Sequence, residues 1–177
     1  RLYRDIRALR RLSLVDAFDL RGVKCLFSGA APFGPELTRA IGERLHVTVR
    51  QGYGMTETSP VAYYTPPEAH RDGMVGVLAP NTECRIVDEY GDDVSDGQPG
   101  ELVMRGPQFM LGYWKAPEAT SSVLRDGWYW SGDIVNRDAQ NFYYVLDRRK
   151  EMIKYKGFPV APAEIEAVLL EHPAVRD

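Results

Sequence analysis

The sequence has little cysteine: two residues in 177, Cys25 and Cys84. Each lies in an apolar, strand-like run, VKCLF and TECRIV, and neither belongs to a CxxC spacing or a Cys/His cluster. A cysteine-based metal site or redox motif therefore has no support, and buried free thiols in a reducing cytosol are the economical expectation. No stretch approaches the roughly 20 apolar residues that a membrane-crossing helix needs, and no signal peptide opens the chain. No transmembrane segment and a cytoplasmic location are the corresponding expectations. An excess of one charge is missing as well. Lys and Arg number 22 against 25 Asp and Glu, a net charge of −3, which gives no reason to expect nucleic acid as a partner. Internal repeats and low-complexity tracts are not found.

What is present is ordinary for a globular chain, with 44% hydrophobic and 27% charged residues. This length suffices for one well-buried domain, or for one domain and part of another. Arg1, Arg4, Arg7, Arg10 and Arg11 crowd the start beside Leu2, Ile6, Leu9 and Leu12. That spacing predicts an amphipathic helix over 1–19 with a solvated basic face. The chain opens within this helical pattern, without an initiator Met, and stops just after another. It reads as a piece of something longer.

Along the chain, a strand is expected at Val23–Phe27, a helix over 34–45 with Leu37, Ile41 and Leu45 on one face, and a strand over 45–49. The last leads into QGYGMTET (51–58), expected as a loop. Strand, helix, strand and loop in this order are the grammar of an α/β sheet, where ligands gather at strand C-termini. From about residue 74 the runs VGVLAP, TECRIVD, GELVMRGP and NFYYVLD alternate with turn clusters, and only 117–124 has helical character. An antiparallel sheet or small distorted barrel over 74–146 follows. From 147 a charge-dense segment leads to Pro162 and a helix from Ala163 to Leu170. The expected fold is thus mixed α/β and α+β. It comprises the end of an α/β layer (1–73), a β-barrel-like subdomain (74–146), and a hinge with the start of a small C-terminal domain (147–177).

Three segments carry chemistry. In 51–58, Gly52 and Gly54 permit close backbone approach, and the hydroxyls of Thr56 and Thr58 suit an anionic oxygen. Glu57 beside a phosphate calls for a bridging Mg²⁺, and Tyr53 offers a flat face to a base. The same residues equally suit a decorated turn. In DGWYWSGDIV (126–135), Asp126-Gly127 and Ser131-Gly132-Asp133 read as two turns around alternating tryptophans. Asp133 is either a turn former or an acceptor for ribose hydroxyls. DRRKEMIKYKG (147–157) is either a solvated charged face or a linker that places Arg148 or Lys154 over a nucleotide.

SGAAP (28–32), QGYGMTET, GELVMRGP with GYW (100–114), DGWYWSGD and DRRKEMIKYKGFPVAPAEIE (147–166) resemble, in this order, the adenylate-forming superfamily. That group includes acyl-CoA synthetases, beetle luciferases and the adenylation domains of peptide synthetases. The resemblance covers nearly the whole chain. It implies that a carboxylic acid attacks the α-phosphate of ATP to give acyl-AMP, after which a small domain rotates and the thiol of coenzyme A takes the acyl group. By the same resemblance, Gln51, Gly52, Tyr53 and Gly54 line AMP, with Tyr53 against adenine. Thr56 meets the α-phosphate and Glu57 takes Mg²⁺. Gly29, Ala30 and Ala31 border adenine and the acyl group, Asp133 binds the ribose hydroxyls, and Arg148 joins it. Lys150 matches the hinge, and Lys154 and Gly157 match the segment that swings towards the acyl carbon.

The Lys-rich run and SGD resemble the acyl-CoA ligase and luciferase branch. Pro159 departs from the glutamine of several aryl-acid ligases, which leans the expectation towards a fatty or other alkyl acid. The phosphate loop and the C-terminal lysine of the family are absent from 1–177, so activity is expected of a longer parent and not of this piece. The alternatives are an adenylation enzyme loading a carrier protein, an aryl-acid CoA ligase, and a nucleotide-binding module without turnover.

Overall fold

The computed structural model describes residues 18–29, 35–69, 71, 73–155, 158–160, 162–169, 172 and 175. The helix expected over 1–19 falls on residues outside this set, except for Phe18 and Asp19, which are not helical.

Strand β1 (Cys25–Ser28) runs parallel to β2 (Thr48–Gly54), and helix α1 (Pro35–Leu45) makes the crossover between them. Parallel neighbours need such a connection, since a tight turn only reverses the chain. Ile41 of α1 and Val49 of β2 are buried together, flanked by Leu26, Leu45 and Val47. The helix ends where His46 adopts a left-handed φ of 53° and the Val47 N–H returns to the Gly42 carbonyl. The side chain of Leu37 lies outside the described residues.

The expected loop at 51–58 is a strand for its first half. β2 continues through Gly54 and pairs antiparallel with β3 (Val61–Tyr64), which pairs with β4 (Val77–Leu78). Here the glycines are a packing device. A Cβ on Gly52 would come within 2.6 Å of the Phe27 ring, and one on Gly54 within 1.8 Å of the Pro60 carbonyl oxygen. The chain leaves β2 through a single 3-10 turn, Thr56–Thr58.

The second sheet is antiparallel and curled: β5 (Glu83–Val87), β6 (Gly100–Arg105), β8 (Trp128–Arg137) and β7 (Leu124–Arg125) in that order, with β9 (Tyr143–Arg148) also on β8. Helix α2 (Pro117–Val123) precedes β7 and has proline in its first turn. Asp126 and Gly127, at φ 49° and 78°, form the two-residue hairpin between β7 and β8 that the Asp-Gly pair signals. Ser131-Gly132-Asp133, expected as a second turn, is instead a bulge within the uninterrupted β8. Gly132 takes φ 73°, and the pairing to β6 shifts between Glu101 and Val103. An antiparallel strand absorbs extra residues this way without reversing direction.

The two sheets share one core, in which Ala62, Tyr63 and Val75 pack with Leu102, Met104, Tyr129, Val135 and Tyr143. Backbone bonds from Val75 to Tyr143 and from Tyr143 to Gly76 stitch the sheets together. Cys25 and Cys84 are half-buried free thiols, less enclosed than expected, and Cys84 Sγ lies 3.1 Å from the Tyr143 hydroxyl. Burial first, then this thiol, pushes the Tyr143 hydroxyl up to about 12. The hairpin β10 (Ile153–Tyr155) and β11 (Phe158–Val160) and helix α3 (Pro162–Leu169) complete the described chain. Among the described residues no helix is long and apolar enough to cross a membrane.

Candidate functional site

Tyr53, Asp133 and Arg148 come from three strands and two sheets and meet at one place. The Tyr53 hydroxyl donates to Asp133 Oδ2 at 2.6 Å, and Arg148 Nε stands 3.4 Å from Oδ1. The Tyr53 ring is held edge-on against the buried Tyr63, with centroids 5.9 Å apart. Asp133 and Arg148 are directly opposed in the β8–β9 ladder, so their approach is a consequence of register. The Asp133 side chain is only 7% exposed, whereas that of Arg148 is 71% exposed. Burial raises the Asp133 carboxyl above the usual carboxylate range, and the Tyr53 hydrogen bond and the Arg148 charge oppose that rise. Burial and the neighbouring carboxylate in turn raise the Tyr53 hydroxyl, which stays protonated and remains a donor.

A second arrangement forms around Glu57. The Tyr113 hydroxyl donates to its carboxylate at 2.6 Å, and the Met110 N–H donates to its backbone carbonyl at 2.9 Å. The loop carrying Tyr113 is anchored on α2, because the Tyr113 N–H donates to Thr120 Oγ1. The hydrogen bond to Glu57 is the chief reason that the Tyr113 hydroxyl is raised. Thr56 is exposed at the start of the 3-10 turn. Thr58 does not face a ligand. It is fully buried, donates to the Pro60 carbonyl at 2.7 Å and accepts from the Met55 N–H at 3.1 Å. For this residue the decorated-turn reading holds.

Gln51 is buried in β2, where Thr65 bonds its backbone N–H and carbonyl, and Gly52 and Gly54 sit in the same strand. Gly29 is exposed just past the end of β1. Ala30, Ala31 and Gly157 lie outside the described residues. Lys150 is exposed in the turn after β9. Lys154 belongs to β10, and its side chain is outside the described residues.

Two carboxylate partners escaped the sequence reading. Glu101 on β6 is buried, accepts the Gly132 N–H on Oε1 at 3.2 Å, and pairs through Oε2 with Arg149 at 2.6 Å. The available signal was a lone carboxylate among the apolar residues that precede Arg105 in GELVMR; a buried Glu is rare without a partner. Tyr113 had a weaker signal, its place in the quoted GYW.

A buried acid beside a tyrosine and an arginine, with a glutamate on the turn that follows the tyrosine's strand, suits a polyol and a phosphate bridged by a cation. Known proteins bear on this arrangement. Residues 1–114 match the family described as AMP-binding enzyme. The chain belongs to that family. As an AMP-binding enzyme sequence it is 44% identical over 168 residues to a protein of Dictyostelium discoideum named probable 4-coumarate–CoA ligase 1, covering 93% of this chain and 30% of that protein. It is 42% identical over the same length to luciferin 4-monooxygenase of Photinus pyralis, again covering 93% and 30%. Among solved structures it resembles the anthranilate CoA ligase AuaEII in complex with anthranoyl-AMP, with a TM-score of 0.86 and 29% identity over 93% of this chain and 32% of that one. It also resembles the O-succinylbenzoate coenzyme A synthetase of Bacillus subtilis in complex with ATP and magnesium, with a TM-score of 0.77 and 33% identity over 87% and 32%. This AMP-binding sequence thus spans about 30% of the length of the curated relatives it matches. The fold expected from the sequence, a mixed α/β layer with a curled antiparallel sheet, is the one found.

Proposed function

We propose that this chain is part of an ATP-dependent, AMP-forming acid–thiol ligase that converts a carboxylic acid to acyl-AMP and then to acyl-CoA in the cytoplasm. The observation that carries the reading is the convergence of Tyr53, Asp133 and Arg148, 80 and 15 residues apart in sequence, on one buried carboxylate. In this reading Gln51, Gly52, Tyr53 and Gly54 of β2 line AMP, with the Tyr53 ring against adenine, and Gly29, Ala30 and Ala31 border adenine and the acyl group. Asp133 receives the ribose hydroxyls with Arg148 beside it. The donor set fits a nucleotide: Tyr53 uses one Asp133 oxygen, and a carboxylate has lone pairs for further donors. Thr56 would contact the α-phosphate.

Mg²⁺ fits Glu57, since that ion commonly takes one or two protein carboxylates together with substrate phosphates. When bound, it neutralises phosphate charge. The chain's own contribution is to orient Glu57 through Tyr113 and to favour the ionised, accepting form of Asp133 through Tyr53 and Arg148, against the effect of burial. Such chemistry depends mainly on positioning and charge stabilisation. Lys150 would be the hinge on which residues 151 onward rotate, bringing Lys154 and Gly157 towards the acyl carbon for coenzyme A. The division at 73/74 and 146/147 would separate an α/β part, a barrel-like part and the rotating part.

Pro159 favours an alkyl acid, because a proline nitrogen has no proton to donate. The second reading, an aryl acid, is favoured by relatives named for 4-coumarate. The test is pyrophosphate exchange by the whole protein with alkyl and aryl acids, followed by thioester formation with and without coenzyme A. Exchange with at least one acid is expected. No exchange with any acid overturns the reading.

A further inference from the structure

Between Trp130 and Ile134 the β8 strand is poorly specified by its neighbours. Val103 pairs with Trp130 and Glu101 with Ile134, so Ser131, Gly132 and Asp133 together face the single residue Leu102. On the other edge the β8–β9 register shifts between Ile134 and Val135. Asp133 itself is paired with Arg148 on the β9 edge, but on the β6 edge the regular ladder skips residues 131–133. Side chains bridge that gap. The Ser131 hydroxyl donates to the Leu102 carbonyl at 2.7 Å, and Glu101 Oε1 accepts the Gly132 N–H at 3.2 Å.

Glu101 also reaches the turn that follows β9. Its Oε2 accepts from Arg149 Nη1 at 2.6 Å, and the Arg149 N–H donates to the Gly132 carbonyl at 2.7 Å. Glu101 on β6, Gly132 on β8 and Arg149 in the turn after β9 thus close a triangle. The residues adjoining two of its corners are Asp133 and Arg148, the carboxylate and guanidinium of the candidate nucleotide site. A buried carboxylate is tolerated only when its oxygens are satisfied, and here both have donors. Arg149 also directly precedes Lys150. The triangle ends where the proposed hinge begins.

We propose that Glu101 is a positioning residue for the nucleotide site: through Gly132 and Arg149 it holds Asp133 and Arg148 at the separation that binds ribose. The inference rests on the ligase reading above, and it makes nucleotide affinity the quantity that Glu101 controls. Removing it leaves Ser131 as the side-chain tie on the β6 side of the bulge, and leaves the Arg149 N–H bond to Gly132 without the guanidinium contact that reinforces it.

The test uses the whole protein with Glu101→Ala, Glu101→Gln, Arg149→Leu, Arg149→Lys and the Glu101→Ala/Arg149→Leu double variant. KM for ATP and kcat are read from pyrophosphate exchange, AMP affinity from calorimetric titration, and stability from thermal unfolding. Glu101→Ala and Arg149→Leu are expected to raise KM for ATP and weaken AMP binding about tenfold, as for loss of a charged hydrogen bond, with kcat changed by less than about twofold. Arg149→Lys, which keeps a donor, retains most of the affinity, Glu101→Gln lies between, and the double variant is no worse than Glu101→Ala. Lowered thermal stability with KM for ATP and AMP affinity at wild-type values overturns the inference and makes Glu101 a structural brace. Absence of exchange in the wild type overturns the ligase reading instead, and the AMP titration then decides the role of Glu101 by the same two results.

Discussion

The hydroxyl of Tyr53 lies 2.6 Å from the carboxylate of Asp133, a residue 80 positions further along the chain and in the other sheet. Burial raises both groups, the carboxylate raises the Tyr53 hydroxyl further, and the Tyr53 hydrogen bond opposes the rise at Asp133, so the pair is a protonated donor facing a buried acceptor. Arg148 supplies the opposing charge from the solvent side. This three-part arrangement is the simplest physical account of why an acid sits where apolar residues would pack better.

Tyr53→Phe tests that account. The substitution keeps the ring against Tyr63 and deletes only the donor. A buried charged acceptor that loses a hydrogen bond should cost roughly 1–3 kcal/mol of stability. Nucleotide affinity should fall with it, because Asp133 is then held by Arg148 alone. Urea unfolding and AMP titration of the variant measure the two effects, and wild-type values in both would remove Tyr53 from the site.

Asp133→Asn should change stability in a pH-dependent way whose sign is fixed by burial. A carboxyl raised above its unfolded value binds protons more readily in the native state. Ionising it in place therefore subtracts stability as pH rises through the raised value, and acid restores it. The asparagine variant has no such titration. Relative to wild type it should be most favoured near about pH 7, with the difference shrinking towards about pH 4. Thermal unfolding of both proteins across that range measures the difference. A gap that stays flat, or widens in acid, contradicts the assignment. AMP binding should weaken in the variant at neutral pH regardless.

Tyr113→Phe addresses Glu57. Tyr113 is part-exposed, so little burial is lost, and stability should change by about 1 kcal/mol or less. The carboxylate of Glu57, however, loses the contact that orients it. Groups that orient metal-binding side chains commonly influence metal affinity by about tenfold or more, so the Mg²⁺ concentration that half-saturates ATP binding should rise by roughly tenfold. A titration of ATP affinity against Mg²⁺ reads this directly. An unchanged midpoint would leave Tyr113 as a loop anchor only.

Local signals in the sequence were legible where local physics decides. The apolar spacing of Ile41 and Leu45 gave helix α1, and Asp126-Gly127 gave the hairpin with both residues at positive φ. The resemblance brought Tyr53, Asp133 and Arg148 together as a list, but their contacts arise from sheet register and from the meeting of two sheets, which no local window contains. Glu101 was missed because its partner Arg149 lies 48 residues away and its other partner is a backbone N–H exposed only by the bulge at Gly132. The close approach expected at Gly52 and Gly54 is found, but within a strand and not a loop, for a related reason. Their need for smallness comes from Phe27 and Pro60, one before and one after them in the chain, and propensity alone reads such glycines as loop.

Those two glycines give the last prediction, a contrast within one strand. At Gly54 an added methyl would meet only backbone: the Pro60 oxygen at 1.8 Å, the Pro60 carbonyl carbon at 2.8 Å and the Val61 Cα at 2.9 Å. Nothing there yields without breaking the β2–β3 pairing. At Gly52 the nearest atoms are Cζ and Cε1 of Phe27, at 2.6 and 2.9 Å, and that ring is 58% exposed and free to swing outward. The backbone there is further off, with the Tyr63 oxygen at 3.1 Å. Gly54→Ala should therefore cost about 3 kcal/mol or more, the range of severe overpacking, and Gly52→Ala nearer 1 kcal/mol. Urea midpoints of the two variants compare them on one scale. Equal losses would mean that β2 relaxes as a unit, and the close approach at Gly54 would then not be what fixes the end of the strand beside Tyr53.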